Sequence, residues 1–131
     1  MLEFMLIAAP GAIVLSAIIK IILLSRGTTA EATSQALTYT VNAESGYHNS
    51  DNRYSFTLKR LSGGWRCYID HTPSYRGRST DPTVIHRLHD SRGPYICYTA
   101  NLSELEQAKT LCRTWSNLTQ RYIETGKGFN E

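Results

Sequence analysis

Three cysteines and four prolines are all that 131 residues contain. Cys67, Cys97 and Cys112 are odd in number and have no framework spacing, which excludes a disulfide scaffold and fits reduced thiols. No glycine-rich phosphate cradle is present: Gly63-Gly64 reads as a turn and Gly77 stands alone. Internal repeats and low-complexity tracts are missing too, which excludes a solenoid. Charge is modest, 14 Lys and Arg against 11 Asp and Glu. Long apolar runs are absent from all but one end of the chain.

That end is residues 4–24, FMLIAAPGAIVLSAIIKIILL. A helix of this length reaches about 30 Å, the thickness of a bilayer's hydrocarbon core. Its apolar side chains point in every direction around a helix, which suits lipid better than a one-sided core. Its Leu, Ile, Val and Phe side chains contribute about −4 to −7 kcal/mol to insertion, against about +2.5 to +3.5 for a central Lys. Lys20 sits near the end of the run and can snorkel. Pro10 and Gly11 are tolerated in a membrane span. The run therefore predicts a transmembrane helix. Two alternatives stay open. Ala30-Glu31-Ala32 has the form of a signal-peptidase site, although no Lys or Arg precedes the run. The isoleucines would also suit an element buried in the fold, with Pro10 at its boundary. Lys20 and Arg26 flank the carboxyl side, so the following domain is expected to face the cytoplasm.

These features divide the chain into a hydrophobic segment at 1–26, a Ser/Thr/Gly/Ala-rich linker at 27–34 and one small α+β domain at 35–131. Within the domain, Tyr54, Phe56 and Leu58 alternate with Ser55, Thr57 and Lys59. Trp65, Cys67 and Ile69 alternate with Arg66, Tyr68 and Asp70, and Ser62-Gly63-Gly64 lies between the two runs. The pattern predicts a hairpin over 53–60 and 65–70. A second hairpin is predicted from 84–89 and 95–99, turning at Asp90-Ser-Arg-Gly93. Leu37, Tyr39 and Val41 suggest a further edge strand. Leu105, Ala108, Leu111, Cys112, Trp115, Leu118 and Tyr122 recur at helical spacing, behind Asn101 or Ser103 as the cap and ahead of Gly126 as the stop. The expected architecture is an antiparallel sheet of two hairpins packed by one C-terminal helix, preceded by the N-terminal hydrophobic helix.

The positive charge is unevenly placed. Arg53 to Arg92 holds eight Lys and Arg against three Asp, whereas the helix from Glu104 to Glu124 is balanced. The surplus falls on the hairpins and on the loop HTPSYRGRSTDPT, residues 71–83. Lys59, Arg66 and Tyr68 on the polar sheet face, with Tyr75, Arg76, Arg78 and Arg87, are the candidate binding residues: Arg and Lys contact phosphate, and Tyr and Arg stack on bases. The partner is expected to be a nucleic acid or another protein, and no cofactor is implied. A cationic surface beside a membrane anchor could also rest on anionic lipid.

Cys67, His71, His86 and His89 contain metal-binding residue types, but residues three apart on a strand point to opposite faces, so no metal site is assigned. His86, Arg87, His89 and Tyr98 could support metal-independent RNA cleavage, the enzymatic alternative. Binding rather than catalysis is the primary expectation.

Overall fold

A computed structural model describes residues 35–47, 50–98 and 101–131. The hydrophobic segment and the linker lie outside the described residues. The described chain runs β1 (Ala36–Asn42), β2 (Arg53–Leu61), β3 (Gly64–His71), α1 (Pro82–Ile85), β4 (Arg87–Asp90), β5 (Gly93–Ile96) and α2 (Leu105–Thr125). The strands form one antiparallel sheet in the order β1-β2-β3-β5-β4, and α2 packs on one of its faces. This is the α+β arrangement that the alternation and the helical stripe predict, with β1 as a full fifth strand.

Period-two patterning explains the two faces of the sheet. Tyr54, Phe56 and Leu58 of β2 are fully buried, and Trp65, Cys67 and Ile69 of β3 are buried beside them. In each hairpin a positive-φ glycine, Gly64 or Gly93, follows the two turn residues. Gly64 is further constrained by the chain entering α2. The Trp65 N–H donates to the Leu102 carbonyl at 2.8 Å, and a Cβ on Gly64 would stand 2.6 Å from that oxygen.

The core centres on Trp115 of α2. Its ring meets Tyr54 and Phe56 edge-on, with centroids 6.0 and 6.1 Å away. Its indole N–H donates to the Ile85 carbonyl at 2.8 Å. Ala108, Leu111, Cys112 and Tyr122 extend this stripe, and Leu105 and Leu118 pack at its margins. The helix is buried on a wider arc than its apolar residues indicate. Ser116, Thr119 and Gln120 are also fully enclosed. Gln120 accepts from the Tyr54 hydroxyl at 2.9 Å and donates to the Asp51 carbonyl at 3.0 Å, so an amide holds the segment before β2 against the helix.

Three local expectations are corrected. The strand predicted over 84–89 begins only at Arg87, because Pro82–Ile85 is a helical turn. Asp81 caps that turn by accepting from the Thr83 N–H at 2.9 Å, Pro82 supplies a helix-ready φ, and His86 leaves it at a left-handed φ of 52°. The next strand is Gly93–Ile96 rather than 95–99, with Pro94 inside it. The cap of α2 is Glu104, neither Asn101 nor Ser103: Gln107 accepts from the Glu104 N–H at 3.1 Å, completing a capping box one residue later. The predicted stop is observed, with Gly126 left-handed and its N–H donating to the Tyr122 carbonyl at 2.8 Å.

Trp115 generates a graded prediction. Trp115→Ala should cost about 3–5 kcal/mol of stability. Trp115→Phe keeps most of the packing but orphans the Ile85 carbonyl, and should cost about 1–3 kcal/mol. Urea unfolding midpoints should fall from wild type to Trp115→Phe to Trp115→Ala, and a Trp115→Phe midpoint equal to that of the wild type would remove the hydrogen bond from the account.

Candidate binding surface

The outer face of the sheet, away from α2, is built by alternate residues of each strand. Lys59 stands opposite Arg66, Thr57 opposite Tyr68, Tyr68 opposite Tyr95, and Leu88 opposite Tyr95. These side chains form a contiguous layer across β2, β3, β5 and β4. Leu88 is 44% exposed on this layer.

Asp90 organises this layer. Its carboxylate accepts from the Arg66 guanidinium at 2.8 Å and from the Tyr68 hydroxyl at 2.5 Å, and its other oxygen accepts from the Arg92 N–H at 2.8 Å. Arg66 is at the same time stacked 4.3 Å above the Tyr95 ring, and Tyr95 meets Tyr68 edge-on at 5.9 Å. The guanidinium is thus held over an aromatic ring while its side chain stays 36% exposed. The hydrogen bond from Tyr68 is the main reason that the Asp90 carboxyl falls to about 2, with the Arg92 N–H and Arg66 adding to it. Burial, then the bond to Asp90, raises the Tyr68 phenol, which stays a proton donor at neutral pH. Thr57 donates to Asp70 at 2.7 Å, tying β2 to β3 on the same face.

The other candidate residues lie elsewhere. Arg87 is opposite Ile96, on the helix side of the sheet, and its Nε is buried without a hydrogen-bond partner among the described residues. Tyr75 packs on the core from the loop after β3, and burial pushes its phenol up to about 12, against the pull of the Arg87 charge. Arg78 donates from Nε to the Ile123 carbonyl at 3.2 Å, placing its cation at the negative end of α2. Tyr122 donates to the Ser79 carbonyl at 2.9 Å. Arg76 takes a left-handed φ of 53° and donates to the Ser50 hydroxyl at 2.9 Å. The loop after β3 is therefore pinned to the helix and to the segment before β2. Of the seven residues, Lys59, Arg66 and Tyr68 share one surface; Tyr75, Arg76, Arg78 and Arg87 do not join it.

The three described histidines are also dispersed over different settings. His86 ends α1 with its ring 4.8 Å from Phe129, and burial lowers its pKa. His89 is exposed on β4, and His71 is exposed at the end of β3 opposite Ser55. Cys67 faces the helix and donates to the Ala108 carbonyl at 3.6 Å. Among the described residues no group of three or more His, Cys, Asp or Glu can hold a metal ion.

Sequence reasoning missed Asp90, Tyr95 and Leu88 as parts of the outer layer. Asp90 read only as a turn residue, yet a carboxylate at the mouth of a hairpin lies within reach of the neighbouring strand. No family model, curated protein or solved structure matches the chain. Among the described residues no helix is long and apolar enough to cross a membrane, and the run at 4–24 lies outside them.

The depressed Asp90 pKa gives a signed pH prediction. A carboxylate whose folded pKa lies below its unfolded value of about 3.9 stabilises the fold above that value. The contribution is lost as pH falls through about 2. Thermal midpoints of the wild type should fall more steeply than those of Asp90→Asn across that acidic window. Parallel curves would mean that the carboxylate carries no such linkage.

Proposed function

We propose that this chain is a membrane-tethered binding domain without catalytic activity, whose outer sheet face engages single-stranded nucleic acid. The carrying observation is the placement of Lys59 beside Arg66, with Arg66 stacked on Tyr95, in one layer on the face away from α2. Adjacent cations suit phosphate contacts, and a tyrosine–guanidinium pair offers a stacking surface to a base. Asp90 holds Arg66 in that orientation, which lowers the ordering cost of binding. Tyr75, Arg76, Arg78 and Arg87 lie off this face, and an Arg76 contact would need the strand to wrap around the domain.

The tether rests on the apolar run at 4–24, and its orientation toward the cytoplasm on Lys20 and Arg26. Full-length protein should remain in the membrane pellet after an alkaline carbonate wash. Release into the supernatant would refute the span.

For the surface, Lys59→Glu with Arg66→Glu should weaken binding of a single-stranded RNA homopolymer by about tenfold or more, since each lost phosphate contact also removes counterion release. Binding should fall steeply with salt. Arg76→Glu should have the smaller effect. Undiminished binding by the double variant would overturn the assignment of this face. RNA breakdown in EDTA that disappears in His89→Ala would replace the binding reading with the enzymatic one.

A further inference from the structure

The two edges of the sheet are built in opposite ways. β4 is four residues long, Arg-Leu-His-Asp, with ionisable side chains at three of its positions. A short, charged edge of that kind resists pairing with another chain. β1 is seven residues long, Ala-Leu-Thr-Tyr-Thr-Val-Asn, and holds no Lys, Arg, Asp, Glu or Pro. It is paired with β2 along its whole length and has no neighbour on its other side among the described residues. Its free backbone groups are therefore a template for another strand.

We propose that this edge joins a second copy of the same chain by antiparallel β1–β1 pairing about a twofold axis at Tyr39. The occupant is indicated by the strand's own symmetry. With Tyr39 on the axis, Thr38 of one copy faces Thr40 of the other, Leu37 faces Val41, and Ala36 faces Asn42. Threonine meets threonine on the outer face, where Thr38 and Thr40 are exposed, and aliphatic meets aliphatic on the helix side. Both are favourable cross-strand pairs, and no like charges oppose each other along the strand. An isologous contact of this kind closes at the dimer and does not propagate, because the β4 edges at the two far ends are protected.

Tyr39 itself is set for the contact. Arg113 donates to its hydroxyl at 2.7 Å, and the Lys109 ammonium lies 5.7 Å from its ring. Lys109 is in turn paired with Glu106 at 3.4 Å. Side chains of α2 thus brace β1 from beneath and leave its outer edge clear. Because the contact is backbone pairing and not opposite charge, it persists in high salt, where nucleic-acid binding fades.

The test uses the full chain in mild detergent, followed by light scattering coupled to size exclusion. The wild type should have the protein mass of a dimer. Thr38→Glu with Thr40→Glu places carboxylates opposite each other across the axis and should weaken self-association by about tenfold or more, equivalent to about 1.4 kcal/mol. Both positions are exposed, and an unchanged circular dichroism spectrum would show that the fold is kept. Register is read by cysteine pairing in a Cys97→Ser background. Opposed residues of an antiparallel pair have Cα atoms about 4.5–5.5 Å apart, within disulfide range. A mixture of Thr38→Cys and Thr40→Cys chains should crosslink several-fold more than either variant alone. A monomeric wild type, a dimer indifferent to the paired glutamates, or equal crosslinking in all three samples would each overturn the proposal.

Discussion

Burial of one sheet face by one helix is the constraint on which the rest of this structure depends. α2 carries Trp115 into the angle between Tyr54 and Phe56, and everything on the inner side of the sheet is arranged around that ring. The same contact reaches beyond the sheet. The indole N–H holds the Ile85 carbonyl, which ends the helical turn before β4, and so sets where the last hairpin begins. With the helix committed to the inner face, the outer face is left to polar and aromatic side chains whose order comes from each other. The Asp90 carboxylate, two tyrosines and Arg66 are locked into a layer by charge-assisted hydrogen bonds and ring contacts. The proposed binding surface lies on the face that the hydrophobic core does not use.

The same division explains how cations with similar sequence surroundings come to have different roles. Arg66 and Arg87 both sit on strands, but their registers send one to the outer layer and the other toward the helix side. Arg78 sits two residues after Arg76, yet it is occupied by the last turn of α2, where a cation favours the helix dipole. A positive surplus counted along the chain therefore overstates the charge that any one surface presents.

Much of the fold was legible from period alone. The β2–β3 hairpin and the α2 stripe follow from alternation and from three-and-four spacing, because each reflects a face buried against a single neighbour. The turn at Pro82–Ile85 was hidden by the apolar pair Val84 and Ile85, which mimics a strand, although Asp81-Pro82-Thr83 carried the capping chemistry. The polar burial at Ser116, Thr119 and Gln120 gives no hydropathy signal. For Gln120 the partners come from Tyr54 and from the segment before β2, a tertiary event that no local pattern encodes. Of the candidate surface, Lys59, Arg66 and Tyr68 could be read from alternation, but Asp90 and Tyr95 depend on which strands become neighbours. That order, with β5 inserted between β3 and β4, is set by the whole chain.

The most direct measurement of the one-sided sheet is solvent exposure residue by residue, in the full-length chain, with a soluble paramagnetic probe and amide and side-chain resonances. The account predicts strong broadening at Lys59, Arg66 and Leu88 and almost none at Phe56, Leu58 and Trp115. Protection of Lys59, Arg66 and Leu88 as complete as that of Phe56 would contradict it, since the outer layer would then be covered by another part of the molecule and closed to any partner.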